Sequence, residues 1–306
     1  MKDLRSICKI ALVQAEPLMF DKAASLQKAL DYIEQAAANQ PDLIVFPELF
    51  IPGYPIGMNF GFSMGKRTEA GRADWKRYYD ASVVAGEAEF LALADAAQKA
   101  NAYISLGFSE RDAVGGTLYN SNVIFEPDGT WKVHRKLKPT GTERLVWGDG
   151  DKGFFPVTET PWGPIGSLIC WESYMPLARV ALYQKGITIY ISPNTNDNEE
   201  WQSTIRHIAI EGKCYFINAD MIVRKASYPA DLNEAEALQA LPDTVCRGGS
   251  CVIDPYGHYV TAPLWDEEGI IYAELDMNLP AACKMEHDAV GHYARPDVLS
   301  LTVDDR

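Results

Sequence analysis

Apolar positions along the chain switch between short continuous runs and helical spacing, and the switching outlines the elements. Ile7 to Gln14 is a compact apolar run and reads as a strand. Asp21 can cap a helix on which Leu26, Leu30, Ile33 and Ala37 recur at intervals of three and four. Pro41-Asp42 breaks that helix, and Leu43-Ile44-Val45-Phe46 reads as a buried strand running into Pro47-Glu48. A strand, a helix and a strand in this order predict a parallel pair with a crossover helix.

Residues 51–66 are rich in glycine, proline and aromatics and read as a loop. A helix from Glu87 to Lys99, with Phe90, Leu91, Ala94 and Ala97 as its apolar positions, leads to a strand from Tyr103 to Phe108. Asn122 to Glu126 and Thr130 to His134 flank the turn Pro127-Asp128-Gly129, a hairpin that delivers His134-Arg135-Lys136-Leu137-Lys138-Pro139. Ile165 to Cys170 reads as a buried strand. The helix after it carries Leu177, Ala178, Ala181 and Leu182 on one face and stops at Gly186.

A strand from Ile187 to Ser192 follows, then a helix with Trp201, Ile205, Ile208 and Gly212 on one face, then a strand from Tyr215 to Ala219. A second hairpin, Ser250 to Ile253 and His258 to Val260, turns at Asp254-Pro255-Tyr256-Gly257, and Ile270 to Leu275 is the last strand. Residues 226–243 are rich in alanine and acids and read as an insertion, either a lid or a subunit contact. Each half ends in a hairpin after alternating helices and strands. Apolar strands need both faces covered, so the pattern predicts an α/β fold of two sheets packed together with helices outside. No low-complexity linker interrupts the middle, and a single domain over residues 1–306 is expected.

Composition narrows the partners. The chain has 306 residues, 47% hydrophobic and 23% charged, which suffices for a sizeable core. Its net charge of −14 argues against nucleic acid and anionic membrane, both of which would repel it. No apolar run is long enough to span a bilayer, and the N-terminus lacks a secretory leader pattern, so a cytoplasmic protein is expected. Cys8, Cys170, Cys214, Cys246, Cys251 and Cys283 are scattered through the chain, unlike a disulfide scaffold. His134, His207, His258, His287 and His292 never form a zinc-type pair, and Cys246/Cys251 lack the CxxC spacing, so no metal is expected. Gly-Gly at 115–116 and 248–249 is turn chemistry without a phosphate loop.

The candidate chemistry sits just past strand ends. A cysteine where a strand gives way to a helix can meet free backbone N–H groups, which favour a thiolate; a buried, inert Cys170 would occupy the same place. Glu48 follows an apolar strand and a proline, where a carboxylate is costly unless paired or used; a loop glutamate is its plain alternative. Lys136 lies in a basic cluster that needs anionic neighbours in so acidic a chain, or else forms a solvated edge. Glu143 can pair with Arg144 or another base.

Phe46-Pro47-Glu48, His134-Arg135-Lys136-Leu137-Lys138-Pro139-Thr140 and Cys170-Trp171-Glu172, in this order, resemble the three signature segments of the nitrilase superfamily. Glu143-Arg144 with Trp147-Gly148, Met175-Pro176, and Gly291-His292-Tyr293-Ala294-Arg295-Pro296-Asp297 look like its nitrilase branch. The resemblance runs from about Ile7 to about Leu301. It implies an αββα four-layer sandwich, a Glu48–Lys136–Cys170 catalytic set with Glu143 as a second carboxylate, no cofactor, a small nitrile as substrate and a homo-oligomer. Many nitrilases carry a longer C-terminal tail, so extended spiral assembly is not expected, and Lys152, where the family often has glycine, reads as a surface change.

By that resemblance Glu48 takes the thiol proton, Cys170 attacks the nitrile carbon, and the thioimidate is hydrolysed through a thioester to the acid and ammonia. Lys136 and the Trp171 N–H would stabilise developing negative charge. Tyr54, Trp171 and Asn194 are the expected pocket residues. An amidase or carbamoylase of the same superfamily, or a cyanide-degrading hydrolase, would use the same thiol and remains an alternative. A binding protein with lapsed catalytic residues is a further class, argued against by the presence of all four.

Overall fold

A computed structural model of the chain describes residues 5–151 and 153–304; the expectation for Lys152 falls outside them. Strand β1 (Ile7–Gln14), helix α1 (Lys22–Ala37) and strand β2 (Leu43–Val45) open the chain. Helices α2 (Glu69–Ala81) and α3 (Ala88–Ala100) precede β3 (Tyr103–Arg111), β4 (Leu118–Phe125) and β5 (Trp131–Arg135). The second half holds β6 (Val157–Thr158), β7 (Ile165–Ser167), α4 (Pro176–Gln184), β8 (Ile189–Asn194), α5 (Glu199–Gly212), β9 (Tyr215–Asp220) and β10 (Ile222–Arg224). It closes with α6 (Ala235–Gln239), β11 (Thr244–Ile253), β12 (Tyr259–Trp265), β13 (Gly269–Asp276) and α7 (Leu279–Cys283).

The strands form two sheets. One runs β13-β1-β2-β3-β4-β5; the other runs β10-β11-β9-β8-β7-β6, with β12 on β11. Pairing of β1 with β2 is parallel across α1, as the strand–helix–strand order predicts. Both expected hairpins are present, β4 with β5 and β11 with β12. The inner faces meet in an apolar layer where Ile10, Leu12 and Val45 face Ile165, Ile191 and Ile217. Outside the first sheet, Ile33 of α1 and Phe90 and Leu93 of α3 cover Ile44 and Ile104. Outside the second, Leu182 of α4 and Ile205 and Ile208 of α5 cover Tyr190 and Phe216. Both faces of each sheet are thereby removed from water, which gives the expected αββα sandwich.

Several local expectations shift. The strand expected to reach Cys170 stops at Ser167, and Cys170 begins a 3-10 turn, Cys170–Tyr174, in which its own φ is +52°. Leu177 is 66% exposed, and the buried face of α4 is made by Ala178, Ala181, Leu182 and Tyr183, with Arg179 buried beside them. Strand β8 runs on to Asn194, two residues past its expected end. Helix α2 and the early part of β11 are not among the expected elements and emerge only in the structure. Residues 226–243 fold back on their own chain: Leu232, Leu238 and Leu241 join Ile56, Met58 and Phe60, and Asp74 accepts the main-chain N–H groups of Asn233 and Glu234.

One close approach fixes the segment that carries Glu48. A Cβ on Gly107 of β3 would lie 2.4 Å from the Pro47 carbonyl oxygen and 2.6 Å from the Leu49 nitrogen. Gly107→Ala is therefore expected to destabilise the fold by about 1–3 kcal/mol, the usual overpacking range, and to displace Glu48. Urea unfolding and turnover, measured together on the variant, check both effects; wild-type values for both would contradict the packing argument.

Candidate active site

The side chains expected to act arrive from the ends of strands in both sheets. Glu48 stands just beyond β2, Lys136 directly after β5, Cys170 beyond β7 and Asn194 at the end of β8. Strands β7, β8 and β9 run parallel, so their carboxyl ends open on one side, where sites in such sheets form.

Lys136 is the hub. Its Nζ lies 2.9 Å from Glu48 Oε1 and 3.0 Å from Glu143 Oε2, and all three residues are buried. Burial works against the Lys136 charge, but the Glu48 and Glu143 carboxylates outweigh it and hold the ammonium well above its ordinary value. Asn120 of β4 donates to Glu48 Oε1 at 2.7 Å, leaving Oε2 buried without a partner. Burial is also the largest influence on Glu48 and raises its carboxyl; Lys136 and the Asn120 hydrogen bond pull back, while Glu143 pushes the same way as burial.

Glu143 is held from three directions. It meets Lys136, accepts the Thr140 N–H at 2.7 Å and accepts the Tyr54 hydroxyl at 2.7 Å. Burial, and then the Glu143 charge, pushes the Tyr54 phenol well up, which keeps it a donor. The lone positive charge thus stands between two carboxylates, one with an unused oxygen.

Cys170 is buried and feels this set electrostatically. Burial raises its thiol well above the ordinary value, Glu48 and Glu143 add to that, and Lys136 and a hydrogen bond from the Thr195 main chain oppose it. A thiol so raised is neutral at rest and needs a base, and Glu48 is the carboxylate with an oxygen to spare.

Of the expected pocket residues, Tyr54 joins the cluster through Glu143, whereas Trp171 is half exposed and packs edge-on against Tyr174. Asn194 is buried, its amide nitrogen committed to Ser192 and Asn218 and its Oδ1 unpartnered.

Two residues escaped the sequence reading. Asn120 fixes Glu48; its signal was a polar run, Asn120-Ser121-Asn122, inside a strand whose buried polar groups must be paired. Glu172 ties the cysteine turn to the lysine strand. It accepts the Leu137 N–H and the Ile169 N–H, each at 2.8 Å, and meets His134 Nε2 at 2.8 Å. The remaining basic cluster is neutralised as its surroundings required: Arg135 meets Glu110 and Asp151, and Lys138 meets Asp149.

The family model for carbon-nitrogen hydrolases matches residues 9–285. An aliphatic nitrilase of Sinorhizobium fredii (strain HH103) is 42% identical over 298 residues, covering 97% of this chain and 96% of that protein. A bifunctional nitrilase/nitrile hydratase, NIT4A, of Lupinus angustifolius is 42% identical over 302 residues, 97% of this chain and 86% of its own length. Among solved structures, Saccharomyces cerevisiae Nit3, a member of branch 10 of the nitrilase superfamily, superposes with a TM-score of 0.72 at 23% identity. That alignment covers 96% of this chain and 98% of Nit3.

Glu172→Ala would leave the buried Ile169 N–H and the partly buried Leu137 N–H unpaired and uncouple Cys170 from the Lys136 strand. Each orphaned donor costs about 1–3 kcal/mol, so a loss of at least about 2 kcal/mol is expected in denaturant unfolding. A variant as stable as wild type would remove Glu172 from this linking role.

Proposed function

The chain belongs to the carbon–nitrogen hydrolase family, and on that premise we propose that its Cys170, Glu48, Lys136 and Glu143 hydrolyse an organic nitrile to the carboxylic acid and ammonia. The protein is an enzyme acting on nitriles. The observation that carries the residue assignment is the buried Glu48–Lys136–Glu143 chain of contacts at 2.9 and 3.0 Å, with Cys170 in its field.

A nitrile carbon is a weak electrophile and calls for a thiolate. Glu48 takes the Cys170 proton as the sulfur attacks the nitrile carbon and passes it to the nitrile nitrogen, giving a neutral thioimidate and a carboxylate again. The same carboxyl group then activates water. The tetrahedral species that forms expels ammonia, which takes its proton from Glu48, and a second water cleaves the thioester. Lys136, kept charged by its two carboxylates, stabilises the negative charge that builds in each tetrahedral state, with the Trp171 N–H assisting. Glu143 orients Lys136, and Tyr54 orients Glu143. Expulsion of the thiol in place of ammonia releases an amide, and a relative named as a bifunctional nitrilase/nitrile hydratase supports that side path.

The whole chain acts as one hydrolase domain. Among the described residues no helix is long and apolar enough to cross a membrane, and we place the enzyme in the cytoplasm. Exposed Tyr174 and Met175 just before α4 and Leu177 within it, with the C-terminal segment, support a homo-oligomer contact.

Cys170→Ala is expected to abolish turnover and leave the thermal unfolding profile close to wild type; retained turnover would end the assignment. Mass spectrometry of wild type quenched during turnover should find the adduct on Cys170. A nitrile and its matched amide, assayed side by side for ammonia, separate a nitrilase from an amidase. The pH profile follows from Glu48. A base works only when deprotonated, and burial raises this carboxyl, so kcat/KM should fall as the pH drops through a value above the ordinary carboxylate range. An acid limb at or below the usual glutamate value would contradict the role of Glu48.

A further inference from the structure

A polar seam joins the two sheets beside the apolar layer between them. Asn122 of β4, in the first sheet, donates to the hydroxyl of Ser167 at the end of β7, in the second, at 3.1 Å. His134 of β5 is paired with Asn122 in the strand register, and its Nε2 lies 2.8 Å from Glu172 Oε2 in the cysteine turn. Both residues are buried, and the imidazole is stacked against Phe155 with ring centroids 6.2 Å apart. The other ring nitrogen, Nδ1, is buried with no protein partner. On that residue's open side lies a cavity of about 10 Å³, lined also by Thr158 and Ser167.

Glu172 reaches one residue short of each reacting group. Its Oε1 accepts the Leu137 N–H at 2.8 Å, and Leu137 directly follows Lys136. Its Oε2 accepts the Ile169 N–H at 2.8 Å, and Ile169 directly precedes Cys170. Two such contacts leave the carboxylate free to turn about the line that joins them. The contact to His134 supplies a third point, from a ring held by strand pairing and by Phe155. Side chains alternate along an extended chain, so His134 and Lys136 fall on one face while Arg135 takes the other. The imidazole thus braces the cysteine turn from the same stretch that carries the lysine.

We propose that His134 is a positioning residue for the reaction at Cys170: its Nε2 contact fixes the Glu172 carboxylate, and through it the placement of the cysteine turn against Lys136. The nitrile chemistry above makes no use of the ring itself. The contact holds with the shared proton on either partner, because an imidazole nitrogen and a carboxyl oxygen can each donate or accept. Reacting groups lose rate steeply when misplaced, and a shift of about 1 Å can cost about a hundredfold. The proposal rests on Cys170 and Lys136 acting as assigned above.

The test separates the two ring nitrogens. A glutamine amide reaches as far as Nε2 and can donate or accept there, whereas an asparagine amide reaches only as far as Nδ1. In His134→Gln, kcat should stay within about threefold of wild type. In His134→Asn, kcat should fall about ten- to a hundredfold while KM changes less than about twofold, because alignment is lost and substrate binding is not. Assays run well below each variant's unfolding temperature, found by circular dichroism, keep loss of folded protein out of the rates.

Equal losses of kcat in the two variants, a kcat kept by His134→Asn, or a loss that appears in KM instead, each overturns the proposal. Should His134→Asn fail to fold, Phe155→Leu removes the stacked ring more gently and should lower kcat about threefold with KM unchanged; an unmoved kcat there overturns it equally. If Cys170→Ala retains turnover, the nucleophile assignment itself fails and takes the proposal with it. With Cys170→Ala inactive, a failed result in the His134 variants removes the positioning role alone.

Discussion

A single buried ammonium, Lys136 Nζ, sets the terms for everything around it. Stripped of water, it is tolerable only because Glu48 and Glu143 each approach within about 3 Å. Neither contact is dispensable. Removing one partner of such a buried set typically costs about 3–5 kcal/mol, a large share of a protein's whole stability. The charge therefore dictates where three separate parts of the chain must end, and the two sheets are what allow them to end there.

The same interaction divides labour between groups of identical type. Glu143 has both oxygens occupied, by Lys136, Thr140 and Tyr54. Glu48 shares one oxygen between Lys136 and Asn120 and keeps the other free. Two carboxylates on one lysine are thus chemically unequal, and the difference comes from their hydrogen bonds. Cys170 completes the set at a turn with φ of +52°, a conformation that a side-chain-bearing residue adopts only when its surroundings hold it there. Glu172 supplies part of that hold by accepting the Ile169 N–H.

Much of this was legible in the residues. Apolar periodicity located β1, β2, the crossover helix and both hairpins, because burial on one or two faces leaves a direct imprint on sequence spacing. Glu48, Lys136 and Cys170 stood out because polar chemistry just past a buried strand needs a partner, and their order matched a known set of segments. Leu177 misled, since a helix at the surface can carry a leucine on its open side without penalty large enough to forbid it. Asn120 and Glu172 were harder to see. Each acts on atoms far away in sequence, and one of those partners, the Leu137 N–H, is a main-chain group that any residue can supply.

The sequence by itself determined the layers, since the alternation of apolar runs and helical stripes admits few arrangements that bury them all. It also supplied the thiol, the base and the cation. Only the tertiary structure decided which carboxylate keeps a free oxygen, which amide shares its other oxygen, and which acid ties the cysteine turn to the lysine strand. Those choices depend on ångström-scale distances between strand ends, and distance between remote residues is set by packing, on which the order of residues along the chain is silent.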